Sequence, residues 1–375
     1  EARVLVVALE SPRWELETAA RWARARLEAA GDGRRPRIGV VVPDLAQRRE
    51  LAARVFSRVF SPSGRAVKDG GWLAYEPSNM MVYAARGNKQ YDFFSYDAAL
   101  DSWKALPPIP AGIEAKTPSK GAIGCGSGEG VLYALKGNNT QGFYAYDIAR
   151  DSWTQLNDIP LGTTNKKVKG GSGLAYVTVR DSGFVYCLKG YKNEFWRYNP
   201  DRDSWSSLPD APLGLSNKNK YDKGSWLVLG LEPVLYCHKA KYHELFAYDI
   251  AETSWTGQLS GMPFMGMLGK KKKSKDGGSA ARLDDYVYAL KGGNTQEFWR
   301  YSLAVDSWLE QDTMPQFGST GKKKKVKAGG DITATTDMLF ALKGNKTLEF
   351  WRYVPRTEYS IQKTANRAGA MAKTS

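Results

Sequence analysis

Six approximate copies of one pattern, spaced by roughly 51 residues, constrain this chain more than any other feature it has. The first anchor of each copy is an apolar–aromatic pair running into a basic and a small residue. It stands at Val82 to Asn88, Leu132 to Asn138, Val185 to Gly190, Leu235 to Ala240, Val287 to Gly293 and Leu339 to Asn345. The second is an aromatic segment starting at Phe93, Phe143, Phe195, Leu245, Phe298 and Phe350. The third is a tryptophan, at Trp103, Trp153, Trp205, Trp255 and Trp308, weakened in the last copy to Tyr359. One such unit cannot hide its aromatic face by itself, so the copies must stack on one another.

Each copy holds four stretches of strand length, rich in Tyr, Phe, Trp and Val and bounded by Gly, Asn, Asp or Pro. The first follows a Gly-Gly or Gly-Ser pair, as in Gly171 to Val179. The others are the YALKG segment, the EFWRY segment and the run from Trp to a Leu before Pro. Four antiparallel strands make one blade, and a ring of blades buries the aromatic faces between neighbours. The predicted fold is all-β: a six-bladed β-propeller over residues 70–364 with a tail at 365–375.

The apolar pair before Tyr, the Tyr-Asp of the third strand and the Trp six or seven residues later resemble the kelch family. The likeness extends to blades of ALKGN…EFWRY type in bacterial and archaeal proteins that are exported or surface-associated. Kelch blades carry a double glycine where this chain has Lys-Gly. Strands phased from Gly71 to Thr364 predict closure by blade-to-blade packing, with no strand exchanged between the termini.

The chain changes character near residue 65. Lys68 is its first lysine, all earlier basic residues being arginine, and Ser61-Pro62-Ser63-Gly64 reads as linker. Residues 1–61 are predicted as an α/β appendage and 62–69 as the linker. Arg3 to Leu9 and Arg37 to Val42 have strand character. Ser11-Pro12 opens a helix carried by Leu16, Ala19, Ala20, Ala23 and Leu27, and a second helix runs through Leu45 to Val59. RWARARLEAA and RIGVVVPDLAQRRELAARVF resemble an internal stretch of bacterial helicase–nuclease repair proteins with a PD-(D/E)XK domain. None of that family's catalytic or phosphate-binding motifs is present.

The formal net charge of +15 favours acidic partners such as nucleic acid, anionic glycan or an anionic lipid surface. In a meander blade the loop after strand two and the loop leaving strand four share a face. The first brings Lys136 and Asn138. The second brings Lys166, Lys167 and Lys169; Lys218, Lys220 and Lys223; Lys270, Lys271, Lys272, Lys273 and Lys275; and Lys322, Lys323, Lys324, Lys325 and Lys327. Blade one adds Lys116 and Lys120. This face is the predicted binding site, for a protein or for an anionic polymer whose affinity falls with salt. Solvated loop decoration is the competing reading. Tyr191 and Tyr242 are candidate stacking residues at loop tips, whereas Trp196, Trp299 and Trp351 occupy packing positions between blades.

No enzyme is predicted. The Asp before each Trp (Asp101, Asp151, Asp203, Asp306) repeats, as turn residues do and catalytic residues do not. His238 and His243 lie near Cys237, but Cys237 takes the place of repeat alanines, which marks core packing rather than a metal. Three cysteines give no disulfide framework, and no apolar run is long enough to span a bilayer. The expectation is a noncatalytic, monomeric binding propeller without cofactor, or alternatively a DNA-repair accessory protein acting through its amino-terminal segment. The propeller favours export or the cell surface, and the amino-terminal segment favours the cytoplasm.

Overall fold

The computed structural model describes residues 12–29, 40–42, 47–48, 66–231, 233–318 and 321–355. Two compact units result, one holding the described part of residues 1–66 with 315–324, the other residues 67–314 with the chain from 325 on.

In the first unit one helix, α1 (Pro12–Ala29), is defined. Pro12 opens it, where a missing N–H costs nothing, with Glu15 in the first turn and Arg26 in the last, as the helix dipole favours. Leu16, Ala20 and Ala23 are buried on one face. Of the second predicted strand, 37–42, residues 37–39 lie outside the described residues, and 40–42 lie outside any strand with Val41 exposed. A two-stranded sheet is marginal in water, and among the described residues Val40 to Val42 have no neighbour to pair with. The strand predicted at 3–9, most of the second helix and the linker at 61–64 lie outside the described residues.

The second unit is the six-bladed propeller. Blade one is Trp72–Glu76, Met81–Ala85, Phe93–Asp97 and Ser102–Leu106, paired in that order and antiparallel throughout. Blades two to five repeat the four-stranded meander, and blade six shows three strands, the last Phe350–Tyr353. Its fourth strand, predicted around Tyr359, falls outside the described residues. The first strand of every blade borders the first strands on both sides, so it lines the axis, and the fourth strand is the most exposed.

The repeated aromatics form the joints. Phe143 of blade two packs edge-on against Tyr198 (4.9 Å) and Trp205 (4.8 Å) of blade three. Phe195 meets Tyr248 (4.9 Å) and Trp255 (5.0 Å) in the same way. Such pairs add about 0.5–1.5 kcal/mol beyond the area they bury. Trp153, Trp205, Trp255 and Trp308 also donate their indole N–H back across the joint, as from Trp205 to the Asn157 carbonyl (2.9 Å) and from Trp255 to that of Pro209 (2.8 Å).

The last joint matches the others. Phe350 of blade six packs against Tyr96 and Trp103 of blade one, each at 4.9 Å. Val67 bridges Thr347 just as Val168 bridges Thr140 and Val326 bridges Thr295. A Cβ on Gly121 would lie 2.2 Å from the Lys169 carbonyl oxygen of the next blade, and one on Gly329 would lie 2.2 Å from that of Lys68. Both glycines have positive φ, so no other residue fits without strain. The ring therefore closes between blades six and one by ordinary blade packing among the described residues.

The repeated Asp serves the turn between strands three and four. Asp101, Asp203 and Asp306 sit at positive φ and accept hydrogen bonds from the Tyr96, Tyr198 and Tyr301 hydroxyls at 2.7, 2.7 and 2.6 Å. Tyr146 and Asp151 make the same contact.

Candidate functional site

The antiparallel meander sends the strand-two-to-three loops and the strand-four-to-one loops to one face, and hydrogen bonds tie the two sets together. The Asn138 N–H donates to the Lys120 carbonyl and the Asn139 N–H to that of Val168, both at 2.9 Å. On this face Lys166, Lys218, Lys270, Lys271, Lys272, Lys273, Lys275 and Lys327 are exposed. Lys322 and Lys323 are exposed as well, but they and Lys324 belong to the first unit. The connections on the opposite face contain no lysine among the described residues. They carry Arg150, Arg180 and Arg202 together with more numerous carboxylates, including Asp97, Asp101, Asp151, Asp203, Asp284 and Asp306. Among these connections lysine is thus confined to one end of the ring, and carboxylates outnumber arginines at the other.

Some of the basic residues are already engaged. Lys167 pairs with Glu114 at 3.0 Å, Lys220 with Asp222 at 3.4 Å and Lys223 with Asp276 at 3.4 Å. The Lys167 and Lys116 ammoniums and the Gln141 backbone N–H hold the Glu114 carboxyl below its ordinary range, against the opposing pull of burial. The densest basic group surrounds Tyr191, on the loop between strands two and three of blade three, with Lys220 also paired to Asp222. The ammoniums of Lys169, Lys220 and Lys192 lie 4.7, 5.2 and 5.9 Å from its ring centre. An aromatic face attracts cations, which lowers the cost of gathering three of them.

Two predicted binding residues need correction. Lys136 is only 2% exposed. Its ammonium donates to the carbonyls of Pro110 and Ala111 beside the Tyr144 ring, and burial lowers its pKa. Asn138 takes a positive φ and spends its amide on the Thr117 carbonyl at 2.9 Å, so it shapes the loop.

Lys136 exposes what the sequence reading missed. The lysine before the loop glycine points inward, and in four blades it meets the glutamate that precedes the third strand. Lys189–Glu194 is 2.8 Å, Lys239–Glu244 3.0 Å and Lys291–Glu297 2.5 Å, with Lys343–Glu349 equivalent. These pairs clamp the lysine-bearing loops. Lys189 also donates to the Pro160 and Leu161 carbonyls, while Glu194 accepts from the Thr164 N–H at 2.8 Å. Lys239 and Glu244 grip Leu213 and Ser216 likewise. Blade one substitutes Arg86 and Asp92 at 3.0 Å, and blade two has Gly142 where the carboxylate would be. The signal was in the chain: a lysine followed five or six residues later by glutamate, in four copies.

His243 of blade four is built into this clamp, while His238 stacks on Trp226 with ring centres 5.2 Å apart. His243 Nδ1 donates to the Met262 carbonyl at 2.7 Å, and its Nε2 accepts from the Ser274 N–H at 2.7 Å. Both nitrogens are occupied, so His243 offers no metal a lone pair, and burial lowers its pKa to about 4. Cys237 is fully buried in the core and burial raises its thiol pKa above the ordinary range. The axis holds a cavity of about 320 Å³ between the first strands. Its buried carboxyl, Asp331, accepts from the Leu73 N–H at 2.6 Å and from Ser279, while burial pushes its pKa up to about 6. Those bonds tie blade six to blades one and five.

No protein-family model and no curated protein matches the chain. Solved structures do. One, described as the structure of YjhT, is 13% identical with a TM-score of 0.52, covering 78% of this chain and 95% of that one. Another, described as a streptogramin B lyase, is 11% identical with a TM-score of 0.47, covering 78% and 85%. At such identity the first is a likeness of fold. The expectation of a noncatalytic protein is corrected accordingly: what the first likeness shows is a propeller fold, and a fold does not by itself exclude catalysis.

Proposed function

We propose that the lysine-bearing face binds an anionic polymer. The observation that carries this reading is the convergence of Lys169, Lys192 and Lys220 on Tyr191, from loops of two adjacent blades. Like charges brought together contribute nothing to folding, and a bound polyanion relieves their repulsion. The clamped loops support the reading too, since a preordered set of cations loses less entropy on binding. The repeated tyrosine–aspartate turn and joint tryptophan support kelch-like kinship for the blades. The repair-protein segment on which the alternative function rests lies largely outside the described residues.

The test is retention of the full chain on heparin and on double-stranded DNA across a salt series. Changing Lys270, Lys271, Lys272 and Lys273, with Lys325 and Lys327, to glutamine is expected to weaken binding and flatten its salt dependence. Lys169→Gln with Lys220→Gln should do the same through the Tyr191 cluster. Binding that ignores salt, or that survives both sets unchanged, would remove the basic face from the function.

A further inference from the structure

The lysine-bearing loops share a second property: their tips are apolar and exposed. Ile113 and Leu215 are each 88% exposed, Met267 74% and Leu268 56%. Each apolar tip runs within a few residues into lysine, namely Lys116, Lys218 and Lys270 to Lys273.

The loop of blade four is the most elaborated. Met265 bridges Lys271 antiparallel, the Lys272 N–H donates to the Phe264 carbonyl at 2.8 Å, and Gly269 turns the chain at φ +67°. Met267 and Leu268 stand at the apex of this hairpin. Its base is fixed: Phe264 stacks on His243 with ring centres 3.9 Å apart, and the Met267 N–H donates to Glu310 at 2.5 Å. The exposed apolar apex is therefore held out by a folded support. A soluble polyanion would meet the lysines but leave this apolar apex uncovered.

We propose that this face docks on an anionic lipid bilayer, with Met267 and Leu268 entering the acyl boundary and Lys270 to Lys273 meeting the headgroups. The proposal rests on the basic-face reading and narrows its partner to a surface that is anionic outside and apolar within. Apolar insertion and polybasic attraction together are the combination that holds a peripheral protein at a membrane. Lysine stems extend along the apolar layer while their ammoniums stay in the headgroups. Orientation follows from the confinement of lysine to one end. Exposed apolar residues at the opposite end, such as Met80, Leu100 and Val305, stand among carboxylates that an anionic surface repels.

The experiment is co-sedimentation of the full chain with phosphatidylcholine vesicles, with and without phosphatidylglycerol, run beside the heparin assay. Sedimentation only with the anionic vesicles is expected. Met267→Ser with Leu268→Ser should lower vesicle affinity about tenfold or more and leave heparin retention unchanged, and Leu215→Ser should have a smaller effect in the same direction. Heparin retention without vesicle binding overturns the bilayer and leaves the basic face standing, the partner then being a soluble polyanion. Vesicle binding that the apex variant does not weaken, or that needs no anionic lipid, also overturns the proposal. Failure on heparin and vesicles alike overturns both readings.

Discussion

Blades three and four are neighbours on one plan, yet blade four departs from it at most of the positions that tune the plan. Where blade three has Leu188, Gly190, Asn193, Phe195 and Asp203, blade four has His238, Ala240, His243, Leu245 and Thr253. The inner clamp is kept in both, as Lys189–Glu194 and Lys239–Glu244. So is the side-chain bond to the loop: Asn193 donates to the Ala211 carbonyl at 3.0 Å, and His243 to that of Met262 at 2.7 Å. What blade four gives up lies nearer the rim. The Tyr198 hydroxyl donates to Asp203, whereas the buried Tyr248 hydroxyl has no partner among the described residues, Thr253 standing where the carboxylate would be. Phe195 makes ring contacts across its joint with blade four, and Leu245 fills the corresponding joint with blade five as an aliphatic core residue. Blade four also buries His238 where blade three has the apolar Leu188, so its departures reach the interior too, while a single hydroxyl contact can be lost for about 1 kcal/mol.

The largest effect that can break this comparison is removal of the clamp. Glu194→Ala leaves the Lys189 ammonium buried without its carboxylate and should cost about 3–5 kcal/mol in chemical denaturation. Glu244→Ala should cost the same within about 1 kcal/mol. A much smaller cost in blade four would show that its departures had already loosened the clamp.

The next effect is pH dependence. His243 is needed neutral, since its Nδ1–H donates and its Nε2 accepts, and burial holds its pKa at about 4 against 6.5 unperturbed. Burial, then the neighbouring His243, depresses His238 as well. The unfolded chain therefore binds protons that the folded chain refuses. Stability is full above about pH 6.5 and falls as pH drops toward 4, by an amount on the order of 3 kcal/mol for His243. His243→Gln, which copies Gln296 of blade five, should reduce that slope in thermal melts between pH 7 and about 4. An unchanged slope would assign the acid sensitivity elsewhere.

The smallest effect sharpens the comparison. Thr253→Asp supplies the acceptor that Tyr248 lacks, at a positive-φ position that suits aspartate better than a β-branched residue. It should stabilise the protein by about 1 kcal/mol, read as a raised denaturation midpoint. No gain would mean that the Tyr248 hydroxyl is already satisfied by water.

The propeller was legible because its joints are made of residues that recur. Phe143 and Trp205, or Phe195 and Trp255, announce in one dimension a contact that exists only between two copies. The basic face was legible as topology, since the meander alone decides which loops share an end. Lys136 was misread because a lysine beside Gly137 and Asn138 looks like loop surface, and alternation along so short a strand does not say that the last side chain turns inward. Val40 to Val42 failed for the opposite reason: β-branched residues have strand character anywhere but form a strand only beside a partner. The exposed apolar tips Ile113, Leu215 and Met267 each follow a glycine in the loop after strand four, a short repeat that the strand anchors overshadowed.

Gly121 and Gly329 have a consequence for the history of such a chain. Each lets one blade lie directly against a backbone carbonyl of the next, so the wedge between neighbours is set locally, at every joint and by the same atom. The number of blades is then written into each copy rather than counted by the whole. A gene duplication adding one more copy would not widen the circle, because every joint would still enforce the old wedge. Growth to a larger ring requires all copies to change together, and until then a surplus copy has nowhere to go.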